Sequence, residues 1–132
     1  MTVAVDTNVV VRLLVQDDDE QHEAARRLFN NRTISKRISE TVLIETSWVL
    51  QSAYGQSDRD ICRGLQLLAG LPSVNVSGAS KLPLLQNWLD EGMDLTDALH
   101  WILAGEVEAI NTFDRSFAEA GRATGEPVHL LG

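Results

Sequence analysis

The apolar positions of the chain fall into short, valine- and isoleucine-rich runs that alternate with longer stretches of helical period. Residues 3–5 form a compact apolar run, the pattern of a buried strand. Residues 7–15 follow as a helix, with Thr7 or Asn8 as its N-cap. The acids Asp17, Asp18, Asp19 and Glu20 open a second helix over 20–30, because negative charge is favoured where the first amides of a helix are unpaired. A strand over 33–38 comes next, then a long helix that begins at 39–41 and is stopped by Gly55. Ser57 and Asp58 cap a helix over 59–68, and a strand spans 74–76. Helices over 81–91 and 96–104 and strands over 109–112 and 127–130 complete the series.

Strands separated by helices imply right-handed crossovers and parallel pairing. The predicted class is α/β: a three-layer fold with a small parallel sheet of four or five strands, flanked by helices on both faces. In such folds chemistry gathers at the carboxyl ends of the strands. Asp6 stands just past the first strand and Asp114 just past a later one.

Composition narrows the picture. At 132 residues the chain is predicted to be one domain, 1–132, long enough to build a core without disulfides. Its 44% hydrophobic and 23% charged residues exclude a disordered chain. The single cysteine, Cys62, excludes an internal disulfide and speaks against a cysteine-built zinc site; it reads as a small buried hydrophobe. Eleven basic against nineteen acidic residues give a net charge of −8, which argues against gripping nucleic acid by bulk positive charge. An enzyme that reaches phosphate through metal ions stays open. The start carries no basic leader with a cleavage site, and no run approaches the ~18 apolar residues of a membrane span. A cytoplasmic protein without a membrane segment is therefore expected.

Most acids lie in polar stretches and read as solvated surface. Four do not. Asp6 is the one charge in residues 1–11, and Glu45 the one charge in 41–54. Asp97 precedes the uncharged run 98–105, where His100 alone titrates, and Asp114 ends the uncharged run 109–113. Each sits in a segment expected to be core, where an unpaired carboxylate costs several kcal/mol or stays protonated. The plain account is that each pairs with an arginine or caps a helix. None, however, has a lysine or arginine three or four positions away. If all four converge, repulsion amounts to ~4 kcal/mol for two charges at 4 Å in an effective dielectric of ~20. Such a cluster needs protons or cations, and all-oxygen ligands select hard ions such as Mg²⁺ or Mn²⁺.

The order Asp6-Thr7-Asn8, Glu45 on a helix, Asp97-Ala98-Leu99-His100, and Thr112-Phe113-Asp114-Arg115-Ser116-Phe117 resembles the PIN-domain nucleases, and among them the VapC-type toxins of toxin–antitoxin pairs. The resemblance runs from Val3 to about Leu130. It implies an acidic Mg²⁺ or Mn²⁺ site and endoribonuclease activity that leaves 5′-phosphate and 3′-hydroxyl ends. Asp6, Glu45, Asp97 and Asp114 match the family's four acidic positions, with Thr112 as the hydroxyl residue before the last acid and Asn8 beside the first. By this resemblance Asp6 and Asp97 ligate the principal metal, Asp114 completes the shell or holds a second ion, and Glu45 orients or deprotonates the attacking water. Many relatives carry an acid two residues after the last one, where this chain has Ser116; Asp94 is a possible substitute ligand. Implied partners are RNA, a second copy of the chain in a homodimer, and a VapB-type antitoxin.

Nine of the eleven basic residues are arginines, suited to bidentate phosphate binding. Arg115 is the leading phosphate contact; Arg12 and the group Arg32, Lys36 and Arg37 are further candidates against a background of scattered surface charge. Trp48, Trp88 and Trp101 lie on helical stripes and read as core or dimer contacts, and His100 as a packed histidine. Two other functions compete. One is a phosphotransfer or phosphatase domain with Asp6 as nucleophile, although Asn8 stands where such enzymes carry a second acid, and Lys36 and Lys81 lie far from the later acid. The other is a catalytically silent PIN-like module that binds RNA or protein. No Gly-x-Ser-x-Gly elbow and no phosphate-cradling Gly-x-x-x-x-Gly-Lys loop occurs.

Overall fold

A computed structural model describes residues 1–105 and 107–132 of the chain. Its internal contacts gather into two compact units, Met1–Ala79 and Ser80–Gly132.

In the first unit, β1 (Thr2–Ala4), β2 (Ser35–Ile38) and β3 (Val74–Val76) form a parallel sheet with β2 in the centre. Helices α1 (Thr7–Leu14) and α2 (Asp19–Asn30) lie between β1 and β2; α3 (Glu40–Ser52) and α4 (Asp58–Ala69) lie between β2 and β3. Each helix starts at a side chain that accepts an otherwise unpaired amide: Asp6, Asp18, Ser39 and Ser57. The cap of α1 is therefore Asp6, not Thr7 or Asn8. Asp6 keeps an extended backbone (φ −89°, ψ 173°), and Thr7 is already helical. Val10, Phe29, Ile38, Leu43, Leu50 and Leu65 are among the buried side chains of this unit.

The inward face of β2 carries an unexpected residue. Lys36 is fully buried beside Ile38 on that strand, whereas Arg37 between them is exposed. Lys36 Nζ donates to Phe29 O (3.2 Å) and Asn31 O (3.0 Å), carbonyls at the end of α2, and lies 5.9 Å over the Phe29 ring. A cation is favoured there because the last carbonyls of a helix have no partner inside it. Lys36 is thus removed from the candidate phosphate contacts.

In the second unit, a 3₁₀ turn (Leu82–Leu84) leads into α5 (Leu85–Asp90), α6 (Leu95–Leu103), β4 (Ile110–Thr112), α7 (Arg115–Ala123) and β5 (Val128–Leu130). The helix expected over 81–91 opens as this 3₁₀ turn, with Pro83 in its first positions, where a missing amide costs no bond, and is α-helical from Leu85. Trp88 and Trp101 are buried edge to face, with ring centres 6.0 Å apart, and Lys81 Nζ lies 5.2 Å over Trp101 while donating to Gly105 O at 2.6 Å. They are core residues as expected; Trp48 is half exposed.

Five strands, all parallel, agree with the expected α/β class, with seven helices around small parallel sheets among the described residues. The strands pair as β1–β2–β3 in the first unit and β4–β5 in the second. Helix α7 is absent from the sequence reading. Its buried face is Phe117, Ala118, Ala120 and Gly121, a helical spacing capped by Asp114 that the sequence does carry. Parallel pairing of β4 with β5 requires a crossover of this kind. Gly121 is part of that crossover's fit: a Cβ built on it would run into Val128 Cγ2 of β5. Gly121→Ala is expected to destabilise the protein by about 1–3 kcal/mol in denaturant titrations through overpacking. Among the described residues no helix is long and apolar enough to cross a membrane.

Candidate functional site

In the first unit, Asp6 follows the end of β1 and its Oδ1 accepts from Val9 N (3.2 Å), while Oδ2 has no hydrogen-bond partner among the described residues. The next residue, Thr7, donates from Oγ1 to Glu45 Oε2 at 3.2 Å. That bond ties α3 to the start of α1 and brings the first two candidate acids to neighbouring positions. Asn8 is exposed beside them.

In the second unit, Asp114 repeats the arrangement at the end of β4. Its Oδ1 accepts from Phe117 N (3.1 Å), its own amide donates to Thr112 Oγ1 (2.9 Å), and Oδ2 is unpaired among the described residues. Thr112 thereby holds the strand-to-helix turn that aims Asp114. Asp94 caps α6 by accepting from Thr96 N (3.0 Å) and Asp97 N (3.3 Å), which places Asp97 in the first helical turn. The Asp97 carboxyl is raised above its ordinary pKa, first by burial and then by the carboxylates of Asp94 and Asp114, with His100 opposing. This unit therefore brings Asp114, Asp97 and Asp94 within each other's fields.

The expectation that these acids lie inside the core is corrected. Asp6, Glu45 and Asp114 are exposed and Asp97 is intermediate. Caps stand at element ends, where the chain surfaces, so an uncharged flank does not bury the acid it surrounds. Capping accounts for part of Asp6 and Asp114, and ion pairing accounts for none of the four. The salt bridges among the described residues are Arg12–Asp17 (2.7 Å) and Arg26–Glu23 (3.1 Å). His100 is exposed rather than packed.

Of the candidate phosphate contacts, Arg115 is exposed at the first position of α7 and forms no ion pair among the described residues. Arg12 is engaged by Asp17, Tyr54 and Gln21. Sequence reasoning passed over Phe113, which is 79% exposed immediately before Asp114. The available signal was an aromatic residue at a strand end between polar neighbours.

Arg12, Asp17 and Tyr54 shift one another's titration. The Tyr54 hydroxyl, and then Arg12, hold the Asp17 carboxyl below its ordinary value of 3.8, and Asp17 in turn raises Arg12 and Tyr54. A depressed folded-state pKa gives stability that is present above the unfolded value and lost as pH falls through the folded one. Thermal midpoints measured from pH 5 down to pH 2.5 should therefore fall more steeply for the parent than for Tyr54→Phe. Parallel curves would mean that the Tyr54–Asp17 bond is not formed in solution.

The donor set fits a hard divalent ion. The available atoms are carboxylate oxygens, two caps leave one oxygen free, and the raised Asp97 carboxyl marks acids that lack a counter-ion. Among the described residues, no group of three or more His, Cys, Asp or Glu side chains is placed to hold a metal ion.

A family model described as PIN domain matches residues 3–123, running through both units. The chain belongs to the PIN domain family. PIN domains are generally metal-dependent nucleases that use divalent ions such as Mg²⁺, and PIN proteins typically bind RNA and sometimes antitoxins. Acids at the ends of β1 and β4, with none of them neutralised by a basic partner, are the features of this PIN domain that accord with that chemistry. No curated protein and no solved structure gives a significant match to the chain.

Proposed function

We propose that this PIN domain, residues 1–132, is a Mg²⁺-dependent endoribonuclease, with Mn²⁺ as a substitute, and that it is the toxin of a VapBC-type pair in the cytoplasm. The observation that supports this best is the grouping of Asp97 with Asp94 and Asp114, whose carboxylates, together with partial burial, push the Asp97 pKa up. Acids arranged to repel one another cost stability unless a cation occupies them. Asp6, Asp97 and Asp114 supply metal ligands, and Thr112 holds Asp114 in place. When bound, a divalent ion lowers the pKa of water and neutralises charge on the phosphoryl oxygens.

Glu45 handles the attacking water. Its Oε2 is held by Thr7, so Oε1 is the atom that takes the proton as the water oxygen bonds to phosphorus and the P–O3′ bond breaks, the departing O3′ taking a proton from solvent to become the 3′-hydroxyl. Arg115 takes a phosphate oxygen, with Asn8 as polar support beside Asp6. A homodimer and a VapB-type antitoxin are the proposed protein partners.

Phosphotransfer through Asp6 fits less well. Such chemistry wants a lysine at the phosphoryl group, but Lys36 is buried against the end of α2 and Lys81 is bonded to Gly105 O. The test is incubation of the purified protein with 5′-labelled single-stranded RNA in Mg²⁺, Mn²⁺ or EDTA. Metal-dependent products with 5′-phosphate and 3′-hydroxyl ends support the proposal. Labelling of Asp6 by a phosphomonoester would support the rival, and RNA left intact in both metals would leave a binding module.

A further inference from the structure

A cavity of about 350 Å³ opens between α1 and α2, wholly within the first unit. Its polar edge is Asp6, Asn8, Arg12 and Gln21, and its floor is apolar, with Val9 and Leu28. The volume lies in the range of small-ligand pockets, ~300–1,000 Å³, which mix an apolar body with a few placed polar groups.

Hydrogen bonds run in series toward this cavity. Tyr54 Oη donates to Asp17 Oδ2 (2.7 Å). Arg12 Nη1 donates to Asp17 Oδ1 (2.7 Å) and reaches Tyr54 Oη (3.1 Å). Arg12 Nε donates to Gln21 Oε1 (2.7 Å). The series has a direction that chemistry dictates. A guanidinium only donates, so the Gln21 atom facing it must be the carbonyl oxygen. The Gln21 amide group is thereby left as a donor, and Arg12 Nη2 has no partner among the described residues. Both belong to residues that border the cavity.

We infer that this cavity is a base subsite of the substrate strand, selective for bases that present a keto oxygen at the edge position, guanine O6 and uracil O4, over those that present an amino group there, adenine N6 and cytosine N4. The inference rests on the ribonuclease reading above. Shared use of Asp6 places the subsite next to a proposed metal ligand, the apolar floor receives the face of a base, and Arg12 Nη2 is available to the adjoining phosphate. A fixed donor at the base edge pairs with a keto oxygen and faces an amino group donor to donor. Single-stranded RNA exposes those edges. Tyr54 and Asp17 act as positioning residues: they hold Arg12, which fixes the Gln21 amide.

The experiment digests a randomised single-stranded RNA library in Mg²⁺ and sequences the ends. The parent should enrich guanine and uracil about tenfold at one position near the cut, the scale of one directed hydrogen bond. In Gln21→Glu, one oxygen keeps the bond to Arg12 Nε and the other becomes an acceptor. Enrichment at that position should move to adenine and cytosine. Tyr54→Phe should flatten the preference at that position alone. A Gln21→Glu profile identical to the parent overturns the inference and leaves the nuclease reading intact.

Should neither Mg²⁺ nor Mn²⁺ support cleavage, the nuclease reading fails, and titration of the metal-free protein with GMP and AMP decides the subsite. Larger shifts of the Val9 and Leu28 methyl resonances with GMP uphold it. Equal or absent shifts overturn it, as would shifts produced only by an acidic peptide, which would assign the cavity to a protein partner.

Discussion

Asp97→Asn should lower metal-dependent RNA cleavage by about 10³-fold and at the same time raise the thermal midpoint of the metal-free protein. The loss follows from removing a charged ligand. Charge stabilisation by a metal contributes several kcal/mol to the transition state, and every 1.36 kcal/mol is a factor of ten. The gain follows from the sign of the titration. Burial, Asp94 and Asp114 raise the Asp97 pKa, so the folded state favours the protonated form. Its stability therefore declines as pH rises from the ordinary value of 3.8 through the raised folded value. Asparagine does not ionise. The variant and parent should coincide at low pH and diverge toward neutrality, and saturating Mg²⁺ should close the gap by stabilising only the parent. Asp94→Asn separates the two roles: asparagine still caps α6, so cleavage should persist while Asp97 titrates closer to its ordinary value. Asp97→Asn cleaving at the parental rate would remove Asp97 from the site. Equal losses in both variants would make Asp94 a ligand too.

Lys36→Ala should destabilise the protein by about 3 kcal/mol in urea titration, more than any single surface change. Two terms combine. The buried stem leaves a cavity, which costs ~2–5 kcal/mol for long side chains, and the carbonyls of Phe29 and Asn31 lose their donor. Lys36→Met keeps most of the volume and removes the donor, so a loss nearer ~1–3 kcal/mol isolates the second term. Equal stability of the alanine variant and the parent would mean that the lysine is not buried in solution. RNA cleavage by the folded methionine variant should match the parent, because Lys36 is bonded into the end of α2 and offers nothing to phosphate.

Much of the fold was legible because its signals are local. Ser39 and Ser57 cap the helices that follow them, at positions a capping rule can name. Strands at 74–76 and near 33–38 were legible from β-branched residues, Val74 and Val76 in one and Ile34 and Ile38 among polar neighbours in the other. Helix α7 was overlooked although Phe117, Ala118, Ala120 and Gly121 fall at helical spacing behind the Asp114 cap; what only the fold shows is that Gly121 must be small to sit against Val128 of β5. Lys36 was read as surface because lysine usually is; its burial depends on the end of α2 being laid beside β2. Arg12 was read as a candidate phosphate contact; that Asp17 and Tyr54 hold its Nη1 was not legible, because Tyr54 stands 42 positions away.

For the candidate site the division is the same. By itself the sequence pointed to the family and to four candidate acids, none with a lysine or arginine three or four positions away and each within or beside an uncharged run. That information is carried by residue type and spacing within a few positions. The tertiary structure decided which oxygen of Asp6 and Asp114 is spent on a helix amide, that Thr7 holds Glu45, and that Asp97 is raised by its neighbours. Those are contacts and fields between groups far apart in the chain, and packing alone brings them within reach.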